Sequence, residues 1–186
     1  MKICTVNSDY LKYLHAFDKR VEFSAPAPDA YNSSRPYTGS VLASAGSSIG
    51  FYAPFEHPRK KHAGLKKNMH IIKIYDGRLG LISLNNMIPV PSGQLTEIKT
   101  DESDSRIIRE QYKFCIRFEN LIRSRAELIY AKSRTMNSFE KNVFCDFRKL
   151  EFLALQYGRI SPFNSEYIQI LLHEKHSAAL LRKKAV

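Results

Sequence analysis

The sequence predicts an α+β fold, a compact barrel-like antiparallel sheet with packed helices and a helical C-terminal half. Two observations carry this. Residues 1–93 hold short alternating apolar and polar runs separated by turn signals, whereas beyond Gly93 apolar residues recur at helical spacing. A chain of 186 residues, 44% of them hydrophobic, can fill one core without disulfides or a structural metal. The expected organisation is a single domain over 1–186. Within it, a sheet-rich core with one short helix covers 1–93, helices packed on the core cover 94–160, and a helical extension covers 161–186.

The elements follow in order. Residues 2–6 alternate as a strand, and Ser8 is positioned to cap a short helix whose apolar side is Tyr10, Leu11, Leu14 and Phe17. Val21 to Arg35 is rich in Ser, Pro, Asp and Asn and reads as a loop carrying Tyr31 and Arg35. Residues 37–43 and 49–53 read as a hairpin turning through Ala45-Gly46-Ser47. Residues 70–75 and 79–84 form a stronger one around Asp76-Gly77. Met87 to Val90 adds a strand that Pro89 places at an edge or bend. From Ser105 to about Lys132, the stripe Ile108, Tyr112, Cys115, Phe118, Ile122 and Ile129 predicts one long amphipathic helix. Ser138 opens a second helix, bearing Phe147, Leu150 and Leu153 and ended by Gly158; Pro162 to Ser165 opens a third.

No apolar run is long enough to span a bilayer, and Met1 leads directly into a strand pattern, so the expectation is a cytoplasmic protein without a membrane partner. Three cysteines without CxxC spacing, Cys4, Cys115 and Cys145, read as buried apolar residues. The net charge of +11 favours polyanions and is spread over both halves. Its densest stretch is informative. Between residues 57 and 73 lie six Lys or Arg and three of the six histidines, with no carboxylate.

Immediately before that stretch, the strand ends at Ala53-Pro54, which leaves Glu56 and His57 on a loop held by the sheet. A carboxylate, an imidazole and Arg59 are the parts required to cut RNA without a metal. One group takes the 2′-hydroxyl proton, another protonates the leaving 5′-oxygen, and a guanidinium neutralises the phosphorane. The plainer alternative is a solvated basic loop, because neighbouring residues of a strand point to opposite sides and Glu56 and His57 need not converge. A metal nuclease would need several converging acids where this segment has one, so neither a metal nor another cofactor is expected. No phosphate-binding P-loop occurs. Lys60, Lys61, His62, Lys66 and Lys67 continue the loop as candidate RNA contacts. Among the tyrosines, Tyr31 in its polar loop and Tyr10 are candidates for contact with RNA, although periodicity also places Tyr10 on an apolar helix side.

Four stretches together carry a family resemblance: Tyr10-Leu11-Lys12-Tyr13-Leu14 with Phe17-Asp18, Tyr31 to Gly39, Ala53 to His62, and Leu79-Gly80-Leu81-Ile82-Ser83-Leu84-Asn85-Asn86-Met87-Ile88-Pro89. Over residues 1–160 the chain resembles the ToxN/AbiQ endoribonuclease toxins of bacterial type III toxin-antitoxin systems. The resemblance implies a core similar to the Kid and MazF toxins and metal-independent, sequence-specific RNA cleavage leaving a 2′,3′-cyclic phosphate and a 5′-hydroxyl. It also implies cellular or phage RNA as substrate, in phage defence by abortive infection. The implied inhibitor is a small repeat pseudoknot RNA, held with the toxin in a closed hetero-oligomer.

By motif position, Tyr31 and Arg35 match a Tyr and a Lys of the family's substrate groove, and Ala53, Pro54, Pro58, Arg59 and Lys60 match its Ala-Pro-x-x-x-Pro-Lys-Lys loop. Glu56-His57 stands where the best known members have Thr-Ser, so proton-transfer roles do not carry over directly. The expectation is His57 as general base or acid, Glu56 as its partner or orienter, and Arg59 and Arg35 on the phosphate. Two other classes of function stay open on the sequence: a non-catalytic RNA-binding module, and a toxin that acts by binding a protein target.

Overall fold

Lys2–Val6 (β1) begins the sheet, with Cys4 and Val6 buried on one face and Ile3 buried on the other. In the structure, a computed structural model that describes residues 1–23, 35–43, 49–66, 68–100 and 105–157, a helix, Ser8–Phe17 (α1), follows at once. Its cap is Asn7, one residue before the expected Ser8. The Asn7 side chain accepts from the Asp9 and Tyr10 amides at 2.9 and 3.2 Å.

The other strands are Tyr37–Ala43 (β2), Ile49–Glu56 (β3), Ile71–Lys73 (β4), Leu81–Ser83 (β5), Ile88–Pro91 (β6) and Leu95–Glu97 (β7). All pairings are antiparallel in the order β4-β5-β3-β2-β1-β7, with β6 also paired to β3. Both expected strand pairs form, β2 with β3 and β4 with β5; the turn expected at Ala45-Gly46-Ser47 lies outside the described residues. The sheet is open, however: β4 and β7 end the order, so the barrel-like closure and its likeness to Kid and MazF do not appear in the pairing. Strand β7 lies just past Gly93, where helical character was expected to begin, and it is held by β1 through the register Cys4↔Glu97 to Val6↔Leu95.

One edge of β3 is shared by two partners. Residues 49–52 pair with β6, and Phe55 and Glu56 pair with β5. The Phe55 amide points the other way, to the Pro36 carbonyl at 3.0 Å. Because successive residues alternate sides, the missing N–H of Pro54 falls in the gap between β6 and β5, where it forfeits no ladder bond.

The long helix expected over 105–132 is two helices, Arg106–Arg117 (α3) and Glu119–Lys132 (α4), broken at Phe118, whose φ of −112° and ψ of 22° leave the helical region. Ser138–Val143 (α5) and Phe147–Tyr157 (α6) replace the single helix expected after Ser138. Asn137 closes a capping box with Glu140. The core lies between sheet and helices: Phe51 meets the rings of Tyr130 at 5.3 Å and Phe147 at 6.2 Å, with Cys115, Ile122, Ala126 and Ile129 buried alongside. All three cysteines are buried and free. No helix among the described residues is long and apolar enough to cross a membrane. The expected third helix and the 161–186 extension lie outside the described residues.

Candidate active site

The handover from β6 to β5 sets the last residue of β3, Glu56, opposite Leu81. Its side chain turns to Ser83, two residues along β5 on the same face, whose hydroxyl donates a hydrogen bond to Glu56 Oε1. The other oxygen faces His62 Nε2 at 3.7 Å. His62 sits in a single-turn helix, Lys60–Gly64 (α2), which points it inward while Arg59, Lys60 and Lys61 stay exposed. Its side chain is 0% exposed, against 28% for Glu56. The carboxylate therefore looks outward from a buried mount.

Burial holds the His62 imidazole below the ordinary histidine range, against the pull of Glu56 and with Lys61, Arg59 and Lys73 opposing a further charge. The ring is neutral, and neither nitrogen has a hydrogen-bond partner. At 3.7 Å its contact with Glu56 is too long for a hydrogen bond. Two glycines permit this arrangement. Gly80, at φ +92°, lies against the Glu56 carbonyl, where a Cβ would come within 2.1 Å of the oxygen; Gly77, at φ +88°, lies against His62, where a Cβ would meet the imidazole's Cβ at 3.0 Å. Between β4 and Gly77, Tyr75 and Asp76 also take positive φ, 46° and 57°. Non-glycine residues adopt this conformation at a cost of roughly 1–2 kcal/mol each, and such strain clusters where a site constrains the backbone.

The chain compares directly with known proteins. The family model described as "Toxin ToxN, type III toxin-antitoxin system" matches residues 2–154. The chain belongs to the ToxN toxin family. The Endoribonuclease ToxN of Bacillus thuringiensis subsp. kurstaki is 26% identical over 168 residues, 84% of each chain. The solved structure of AbiQ, a lactococcal anti-phage endoribonuclease of a type III system, shares the fold at 21% identity and a TM-score of 0.70, covering 85% of this chain and 98% of that one. A further solved structure, of a type III toxin selectively inhibited by a non-coding RNA pseudoknot, is 26% identical with a TM-score of 0.68, over 84% and 97% of the two chains.

Within this ToxN-family fold, the residues singled out from the sequence divide. Glu56, Arg59, Lys60 and Lys61 share one loop with His57, which is exposed. Arg35 joins them from the segment just before β2: the bond from the Phe55 amide to the Pro36 carbonyl brings its backbone near the end of β3. Its guanidinium pairs with Glu22, whose second oxygen accepts from Asn86 Nδ2 at 3.0 Å. Lys66 is exposed beyond α2, while Tyr31 and Lys67 lie outside the described residues.

Three expectations are corrected. Tyr10, read as an RNA contact, is fully buried and donates its hydroxyl to the Pro89 carbonyl at 2.6 Å, so it is a core residue. His62, read as a surface contact, is buried beneath Glu56. Glu56 does not orient His57, because consecutive residues leave extended backbone on opposite sides; its two oxygens face Ser83 and His62. Sequence reasoning missed Ser83 as a site residue, because the pairing of Leu81 with Glu56 that places it is a tertiary feature with no local signal.

Proposed function

We propose that this toxin cuts RNA without a metal ion, leaving a 2′,3′-cyclic phosphate and a 5′-hydroxyl at specific sequences of cellular or phage RNA. A repeat pseudoknot RNA inhibits it in a closed toxin–RNA assembly in the cytoplasm. The observation that carries the chemistry is the carboxylate of Glu56, fixed by Ser83 over a neutral buried histidine and opening into a loop of cations. The 2′-oxygen attacks phosphorus as its proton passes to one of Glu56 and His57. The bond from phosphorus to the 5′-oxygen breaks as the other group returns a proton to that oxygen, so protons balance over the step. The exposed His57 imidazole carries a donor and an acceptor nitrogen, and the fixed Glu56 carboxylate serves as acceptor.

Arg59 and Arg35 neutralise the phosphorane oxygens, Arg35 by exchanging Glu22 for phosphate. Tyr31 completes the substrate groove as the family resemblance implies, and Lys60, Lys61, Lys66 and Lys67 follow the RNA backbone. His62 acts through Glu56, as a positioning residue whose neutral ring adds no competing charge. The test is incubation of the purified protein with cellular RNA in excess EDTA, followed by mapping of the ends. Discrete cuts with 5′-hydroxyl and cyclic phosphate termini are expected. Cleavage that stops on chelation and returns with Mg²⁺ overturns the mechanism.

A further inference from the structure

The strained turn at Tyr75 and Asp76 has two sides. Gly77 packs on His62 beneath the candidate active site, whereas Tyr75 and Asp76 line a separate cleft of about 520 Å³ between β4 and the α3–α4 junction. The cleft has room for a nucleotide, within the range typical of small-ligand sites. Its walls combine two chemistries. Lys66, Lys73, Arg117 and Arg125 bring four cations against one carboxylate, Asp76. Tyr75, Phe114 and Phe118 bring a connected aromatic surface, with Phe114 5.5 Å from the Tyr75 ring and 4.6 Å from that of Phe118. Arg117 lies over Phe118 at 5.5 Å, the position of a cation against a ring face. The exposed Leu121 extends the apolar wall.

Aromatic faces interleaved with cations suit an unpaired nucleotide, whose base stacks while its phosphates meet ammonium and guanidinium groups. A purely apolar ligand would desolvate the cations without offering them a counter-charge, and an anion alone would leave the rings unused. Lys73 ties the cleft to the site, since it lines the cleft and also bears electrostatically on His62.

We propose that this cleft binds one unpaired nucleotide of the RNA engaged by the toxin, a subsite apart from the point of cleavage. The proposal rests on the RNA-cutting reading above and adds where the strand is gripped. Strand passing over the turn reaches the Glu56 loop on one side and the cleft on the other. The break between α3 and α4, which sequence periodicity did not anticipate, thereby acquires a use: it turns Phe118 and Leu121 toward the strained turn.

The test reads binding by fluorescence anisotropy of a short fluorescein-labelled single-stranded RNA, and of the same strand with one abasic position moved along it. Phe118→Leu should weaken binding roughly five- to 150-fold, the range for one base stacked on a ring. At one abasic position the wild type should lose a similar factor and Phe118→Leu nothing more. Arg117→Ala, on an exposed side chain, should flatten the slope of log affinity against log salt by roughly 0.7, at every abasic position alike. Wild-type affinity and salt slope in both variants would overturn the cleft, as would equal losses for Phe118→Leu at all abasic positions. A protein that shows the expected coupling yet leaves RNA uncut supports the cleft and overturns the nuclease reading. One that cuts RNA with unchanged affinity in both variants does the reverse.

Discussion

Gly80→Ala is the sharpest probe of how the sheet holds the site. An added Cβ would stand 2.1 Å from the Glu56 carbonyl oxygen, whereas ordinary contact begins near 3.4 Å, so the end of β3 must recede by about 1.3 Å. Because Glu56 is paired to Leu81 and its side chain to Ser83, that retreat moves the carboxylate itself. Two costs add. Holding alanine at φ +92° costs roughly 1–2 kcal/mol, and overpacking typically costs about 1–3 kcal/mol more, for a loss of about 2–5 kcal/mol of stability. A displacement near 1 Å at a catalytic group lowers the rate by about 10²-fold.

Urea denaturation reads the first effect, and single-turnover cleavage of a mapped RNA at saturating protein reads the second. Gly93→Ala, where an added Cβ meets nothing within 4 Å, is the control and should stay within about 0.5 kcal/mol of wild type. A Gly80→Ala protein with the wild-type midpoint and rate would show that β5 does not position Glu56, and the reasoning from the close approach would fail.

His57→Ala should lower cleavage by roughly 10² to 10⁴ while RNA affinity stays within a few-fold; a wild-type rate would reduce the exposed imidazole to surface chemistry. The buried imidazole of His62 and the half-buried one of His70 are both held below the ordinary 6.5 by desolvation, so the unfolded chain takes up their protons first as pH falls. Their stabilisation is complete above about pH 6.5 and declines below it, at up to about 1.4 kcal/mol per pH unit for each. Urea midpoints across pH should show this fall and His62→Phe should make it shallower; an unchanged slope would place the titration elsewhere. Replacing Lys60 and Lys61 together by alanine should flatten the salt dependence of RNA affinity by roughly 0.7 per lysine, and an unaltered slope would face α2 away from RNA.

What the sequence made legible follows from how far each signal depends on its neighbours. Both hairpins carried local turn chemistry, and in both the expected strands pair. Strand β7 has three residues and no local signal; it exists because β1 offers an edge, which is a tertiary cause. Nor does Phe118 announce a helix end, since no Gly or Pro stands near it and the apolar stripe continues across the break. In the site, the charge density around residue 59 and the position of Glu56 were readable, but the partner of Glu56 was not. A helix of five residues is too short to show a period, so nothing in Lys60-Lys61-His62 told which of three polar side chains would turn inward. Tyr10 failed for the opposite reason: its helical face did announce burial, and the function proposed for it set that aside.

The two densest stretches of family resemblance turn out to be halves of one construction. Ala53-Pro54 to His62 supplies the end of β3 and the turn that buries His62. Leu79 to Pro89 supplies β5 and the start of β6, the two strands that share one edge of β3, with β5 on Phe55 and Glu56 and Ile88 and Pro89 of β6 on Tyr52 and Phe51. A strand that changes partners must leave a gap in its ladder, and Pro54, lacking an N–H on that side, fills the gap without an unsatisfied donor. Beyond the gap Gly80 brings β5 against the Glu56 carbonyl and Ser83 fixes the carboxylate, while Asn86 reaches Glu22 and so holds Arg35. The same short segment thus pins both the Glu56 carboxylate and the Arg35 guanidinium. This constrains Glu56 through the strand exchange more than through its own neighbours in sequence, and it accounts for two adjacent polar residues, Glu56 and His57, parting company: one is held by the sheet and the other is left exposed.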